Sequence, residues 1–276
     1  MLKNILKDFK GRVTDMEQLE FILKHFPNAV EGRILTLEIV DYLQGTWKVT
    51  PKNTLFGYST CADEINRDVT QFNSYYGGKD FHLGGLTGYP FRGKTGFSAF
   101  SHHAPNDGKE SNLIILYGPH VGASLNSELG KVSRIGQTNE SAACGAAISF
   151  LNKCREANVR GEVYKPILDV LDTEQYNIET KFMPYAEQIL NSNAPIKELV
   201  EVNYKIIDED IRKIIEHLTL QFNGSIYLIG GVMINTLPLH PSFFDLRGFE
   251  RYRGGDVMVL SDLTPNQQYT PETYQH

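Results

Sequence analysis

Residues 113–117, Leu-Ile-Ile-Leu-Tyr, form an unbroken apolar run between Asn112 and the Gly118-Pro119 pair. A run this short, with no alternation of polar and apolar positions, fits a strand buried on both faces, as in a parallel sheet covered by helices. Ser225–Gly230 (SIYLIG) reads as a second such strand, ended by a Gly230-Gly231 turn. Between these runs the helical period recurs. Residues 15–26 place Met16, Leu19, Leu23 and Phe26 at helical spacing behind Asp15 as N-cap, and 31–44 repeat the pattern with Ile34, Leu37 and Val40. Ser141–Ala157 reads as an alanine-rich helix, and 173–192 and 195–219 as two more. The last carries Ile196, Leu199, Ile207, Ile211, Ile214 and Leu218 in one stripe. Asn53–Ser59, Thr95–Ser101 and Val257–Leu260 supply further strands. Strands alternating with helices predict an α/β fold with a mainly parallel central sheet flanked by helices.

The 276 residues suffice for a sizeable core, and 41% hydrophobic with 22% charged residues excludes disorder as the main state. A net charge of −6 without a basic stripe argues against nucleic acid as a partner. No apolar run reaches the roughly 20 residues that a membrane crossing needs. The N-terminal segment lacks the apolar core and cleavage site of a secretory signal, and three cysteines make no disulfide scaffold. A cytoplasmic protein with reduced thiols is the expectation.

Gly88-Tyr-Pro-Phe-Arg-Gly93-Lys94-Thr95 satisfies the phosphate-loop pattern G-x-x-x-x-G-K-T. That loop works when a strand delivers it and a helix starts at the lysine. Here the residues that follow show no helical period, and Pro90 and Phe91 crowd the loop, so the pattern reads as a Gly-rich loop near the sheet. A second constellation sits better. Cys61 follows the strand 53–59, His120 follows the strand 113–117, and Cys144 lies at the start of a helix. Ligands of open α/β sheets collect beyond the carboxyl ends of strands. Two thiolates and an imidazole there suit zinc with a fourth position open to water, or the three side chains simply pack. Their spacings, 59 residues from Cys61 to His120 and 24 on to Cys144, match no zinc-finger pattern. Cys154 lies ten residues beyond Cys144 on the same helix, about 15 Å away, and cannot join them. Asp63 and Arg67, four apart, are either a surface ion pair or a carboxylate held beside the metal. Of His102 and His103, adjacent on the predicted strand 95–101 or just past it, one lines the pocket at most.

Several segments together resemble one family. GYSTCADEINR (57–67), GGLTGYPFRGKTGFSAFSHHAPNDG (84–108), IILYGPHVG (114–122), SAACGAAISFL (141–151) and IGGVMINT (229–236) are similar, in this order, to the limiting-CO2-inducible B/C family. That family is described as theta-class carbonic anhydrases with a fold like the beta class. The resemblance implies Zn2+ bound by Cys61, His120 and Cys144, with Asp63 and Arg67 as a catalytic pair. In the beta class the arginine comes two residues after the aspartate, whereas Arg67 comes four after Asp63. A zinc-bound hydroxide would then interconvert carbon dioxide and bicarbonate, with Asp63 orienting it and His102 or His103 as proton carrier. A homodimer is implied as well.

One α/β domain over 1–276 follows from this reading. It has a helical lead-in over 1–50, a zinc-site core over 53–157, a helical segment over 160–222, closing strands over 225–262 and a polar tail over 264–276. Two rivals stand beside the carbonic anhydrase. One is a zinc hydrolase of another substrate using Glu64 as base, and the other is a non-catalytic, bicarbonate-responsive or scaffold homologue.

Overall fold

The computed structural model describes residues 16–66, 70–77, 80–105, 110–124, 128–238 and 240–260. The helices are α1 (Met16–His25), α2 (Gly32–Trp47), α3 (Phe72–Tyr75), α4 (Gly93–His102), α5 (Gly145–Val159), α6 (Thr173–Phe182), α7 (Ala186–Asn191) and α8 (Pro195–Thr219). The strands are β1 (Ala29–Glu31), β2 (Thr54–Ser59), β3 (Asp80–His82), β4 (Asn112–Tyr117), β5 (His120–Gly122), β6 (Lys131–Val132), β7 (Ser141–Ala142), β8 (Ser225–Asn235), β9 (Phe243–Arg253) and β10 (Asp256–Val259).

The main sheet runs β1-β9-β8-β4-β2-β3, with β10 on β9 and β5 on the second half of β8. Its centre is parallel, as the run 113–117 predicts: β4 pairs in parallel with both β2 and β8, and all six of its residues are buried. Among the described residues of this sheet, β1, β9 and β10, at one side, add the antiparallel pairs. On one face α2 packs Leu35, Ile39 and Leu43 against Phe56, Ile114 and Ile229. On the other, Phe97 and Phe100 of α4 and Ile207, Ile211 and Leu218 of α8 cover Leu113, Ile115 and Leu228. Among the described residues no helix is long and apolar enough to cross a membrane.

Three readings of the sequence need correction. Thr95–Ser101 is not a strand but part of α4. Phe97 and Phe100, three apart, share a helix face and would lie on opposite faces of a strand. The Gly230-Gly231 pair does not end its strand; β8 runs through it for 11 residues, with a register shift between the two glycines. A Cβ on Gly230 would stand 2.3 Å from the Tyr117 ring, and one on Gly231 2.3 Å from Phe244. The pair is there for close packing, not for a turn. Finally, β9 went unread because Asp245, Arg247, Glu250 and Arg251 break its apolar pattern. Two of those charges are paired across elements, Arg247 with Glu201 and Glu250 with Arg212, both of α8.

Candidate metal centre

The site forms where β2 and β4 end side by side. Ser59 and Tyr117 are register partners, and each strand continues into one site residue, Cys61 after Thr60 and His120 after Gly118-Pro119. The turn between β4 and β5 needs glycine. Gly118 adopts φ +145°, and a Cβ there would lie 1.7 Å from the Gly231 carbonyl oxygen. The loop 84–88 wedges beneath both strand ends: a Cβ on Gly88 would meet Gly118 O at 2.4 Å and the Cys61 nitrogen at 3.4 Å. Thr87 in that loop is held at φ 59°, with its carbonyl accepting from Asn203 Nδ2 at 3.1 Å.

The third residue arrives on a small antiparallel ribbon. β6 and β7 pair Lys131 with Ala142 and Val132 with Ser141, beside β5. The ribbon's connection carries Arg134, and its second strand leads through Ala143 to Cys144, the N-cap of α5. Cys144 adopts φ 66°, ψ 62°. For a residue with a Cβ this left-handed geometry costs of order 1 kcal/mol, a strain that collects at functional sites.

The Cys61, His120 and Cys144 ligand atoms lie within 4.8 Å of one another, all buried. Tetrahedral zinc spaces such atoms at about 3.5–3.8 Å, so small side-chain rotations close the set. His120 is 1% exposed. Its Nδ1 lies 2.8 Å from Asn235 Oδ1, whose own Nδ2 donates to Ile65 O at 3.1 Å and Asn66 Oδ1 at 3.2 Å. Because the amide nitrogen is engaged in donating, Oδ1 must accept, and the imidazole proton sits on Nδ1. Nε2 then presents a lone pair, and it has no hydrogen-bond partner. An orphaned buried nitrogen beside two thiols is the donor set that zinc takes, so the residues present fit the ion that the sequence implies.

The three groups also perturb one another's protonation. A hydrogen bond from the Cys144 thiol, aided by His120, draws the Cys61 thiol down to about 4 against the upward push of burial. The same bond, together with burial, holds the Cys144 thiol well above its ordinary range. Burial alone would lower the His120 imidazole, but the Cys61 thiolate, Asn235 and Asp63 outweigh it and raise it. Cys154 stands apart; burial and Glu179 push its thiol up to about 11.

Asp63 lies at the mouth of the site, its Oδ2 3.9 Å from His120 Nε2. Burial pushes its carboxyl up, yet His120, Glu64 and Arg134 bring it below the usual carboxylate range. Its arginine is Arg134. Nη2 donates to Asp63 Oδ2 at 2.7 Å and to Ala142 O at 3.1 Å, while Nη1 is buried without a partner. Arg67, expected in this role, lies outside the described residues. The helix expected from residue 62 or 63 is a single 3-10 turn, Glu64–Asn66. Glu64 itself is largely exposed and sits 3.5 Å from Arg134 Nε. His102 and His103 lie at the exposed C-terminal end of α4 and do not line the cavity over the site.

That cavity, of about 680 Å³, is lined by Cys61, Asp63 and Asn66, by Phe56, Leu116 and Met233, and by Asp80 and His82. Behind His120 and Cys144, Val121, Ala147 and Leu199 leave only about 10 Å³, so the site opens on the Asp63 side. In the phosphate-loop pattern a helix does begin at Gly93, which its sequence hid. The loop nonetheless comes from a 3-10 turn, Leu86–Gly88, and its Leu86 N–H already donates to the Glu174 carboxylate at 3.0 Å. An anionic side chain there disfavours phosphate.

The family described as limiting CO2-inducible proteins B/C beta carbonic anhydrases matches residues 35–253. The crystal structure of PtLCIB4, a homolog of the limiting CO2-inducible protein LCIB, aligns at 29% identity and TM-score 0.78 over 87% of this chain and 98% of that one. A point variant of PtLCIB4 aligns at 28% identity and TM-score 0.80, over 90% and 100%. LCIB itself aligns at 20% identity and TM-score 0.65, over 87% and 96%. No curated protein matches the chain in sequence.

Proposed function

The chain belongs to the limiting CO2-inducible protein B/C family, and from that premise we propose that it is a zinc carbonic anhydrase interconverting carbon dioxide and bicarbonate. The observation that carries the reading is the orphaned His120 Nε2 facing two thiols at the mouth of a cavity guarded by Asp63 and Arg134. Cys61, His120 and Cys144 would hold the zinc. When bound, the ion lowers the pKa of a coordinated water from 15.7 to about 7 and so supplies hydroxide at neutral pH.

The chain's own residues do the rest. Asp63 would accept a hydrogen bond from that hydroxide and so orient it toward carbon dioxide. At 3.9 Å from His120 Nε2, the Asp63 carboxylate is also near enough that it could swing in among the three ligands and occupy the metal itself. Arg134 prevents that by a charge-assisted hydrogen bond, itself anchored on Ala142 O. Phe56, Leu116 and Met233 give the cavity an apolar wall for an uncharged substrate.

A cavity of about 680 Å³ far exceeds carbon dioxide, and this keeps hydrolysis of an organic ester as a second reading. A second copy of the chain is the partner we propose. Val163, Ile167, Leu168, Val170 and Leu171 leave one apolar stretch in water, with Leu171 94% exposed. Sedimentation should show a dimer, and a monomer at micromolar concentration would refute that partner. Zinc content of Cys61→Ser, His120→Ala and Cys144→Ser tests the site. Each should lose zinc at sub-micromolar free metal, Cys154→Ser should not, and any of the three that keeps full zinc leaves the ligand set.

A further inference from the structure

Hydration of one carbon dioxide yields bicarbonate and one proton, which has to leave through the cavity. Five ionisable side chains line that cavity among the described residues: Tyr58, Cys61, Asp63, Asp80 and His82. A good proton carrier titrates near the working pH. Carboxyl groups ordinarily titrate near 4 and phenols near 10, so they hold a proton too weakly or too firmly at neutral pH. Cys61 is committed to the metal. Imidazole is the side chain suited to the task.

His82 is placed for it. It ends β3, and the parallel register sets it beside Tyr58 of β2. Its ring stacks on the Tyr58 ring, centroids 4.9 Å apart and planes at 24°. Its Nε2 lies 3.5 Å from the carbonyl oxygen of Thr60, the residue before Cys61. The ring is therefore close to the reaction without ranking among the ligands, and it is half-buried and lines the cavity. The charged groups that share its cavity are Asp80 on its own strand and Asp63 across the opening, with the Tyr58 phenol against its face.

We infer that His82 is the proton carrier of this site, an inference that rests on the carbonic anhydrase reading. Neutral imidazole takes the proton at one ring nitrogen through water in the cavity and becomes imidazolium. It then gives that proton to a buffer base and returns to its starting form. No electrons are exchanged, and the ring is unchanged over a cycle.

Stopped-flow hydration by zinc-loaded wild type and His82→Ala in dilute non-imidazole buffer tests this. His82→Ala should keep one zinc per chain and lose roughly 10-fold or more in kcat. Its kcat/KM should stay within about twofold of wild type, because only the step after carbon dioxide conversion is slowed. Millimolar imidazole in solution should restore kcat. An unchanged kcat, or kcat and kcat/KM falling together without rescue, would overturn the inference while leaving the carbonic anhydrase reading intact. A zinc-loaded wild type with no hydration would overturn both. A readout independent of turnover is the proton NMR of cobalt(II)-substituted protein. The His82 ring signals, assigned by their loss in His82→Ala, should carry paramagnetic shifts; unshifted signals would place the ring too far from the metal to serve.

Discussion

Replacing Asn235 by leucine removes the acceptor for His120 Nδ1–H at 2.8 Å and the two donations that fix the amide, to Ile65 O and Asn66 Oδ1. The cost falls unequally on the two states of the site. Without metal, the imidazole proton can move to Nε2, where the Cys61 thiolate accepts it, and no buried donor is stranded. With zinc on Nε2, the proton must stay on Nδ1, in a residue 1% exposed, with nothing to receive it. A stranded buried donor costs about 1–3 kcal/mol. That range converts to a loss of roughly 5- to 150-fold in zinc affinity, in line with typical effects of removing a partner from a metal-ligating histidine. Competition against a chromogenic chelator at fixed pH measures it. Asn235→Asp separates this effect from general damage. It keeps the acceptor for His120, so zinc affinity should stay close to wild type or rise, while loss of the amide donor lowers the melting temperature. Zinc affinity within twofold of wild type in a folded Asn235→Leu protein would rule out this role for Asn235, as would equal losses in the two variants.

Arg134→Ala should keep zinc but lose most of the hydration rate, because Asp63 is then free to close the fourth position. Adding Asp63→Asn to Arg134→Ala should cost little further rate if Asp63 and Arg134 act as a unit. Gly118→Ala forces a Cβ against the Gly231 carbonyl, a gap of 1.7 Å, and displaces the turn that carries His120; denaturation should show a loss of roughly 1–3 kcal/mol, with weaker zinc binding. Burial pushes the Glu201 carboxyl up, but hydrogen bonds from Arg247 and Lys197 bring it down to about 2. Its folded value is therefore below its ordinary 4.5, so the stability it contributes is present above that value and is lost as pH falls toward 2. Urea midpoints from pH 6 down to 3 should fall less steeply in Glu201→Gln than in wild type.

The central strands were legible because burial on both faces leaves a continuous apolar signature, as in 113–117. Cys61, His120 and Cys144 were legible because each sits where a strand ends or a helix begins, places the chain marks locally. Arg134 was not. It reaches Asp63 only because the β6–β7 ribbon folds back beside β5, and nothing near Arg134 in sequence announces a partner 71 residues away. Asn235 was hidden for a similar reason, since reading a Gly-Gly turn at 230–231 ended the strand before its last five residues. His82 gave no local sign either; its neighbours Tyr58 and Thr60 belong to β2 and its continuation, brought alongside only by the parallel register. Helix α4 was misread because two phenylalanines among small residues carry too little periodicity to distinguish helix from strand.

Turnover of carbon dioxide at a zinc held by Cys61, His120 and Cys144 can be tested on one sample. The most direct measurement is stopped-flow hydration with protein whose metal content has been determined on the same sample. We expect one zinc per chain and a rate above the uncatalysed background that disappears in Cys144→Ser. One zinc per chain with no rate above background, in wild type carrying intact Asp63 and Arg134, would contradict that expectation.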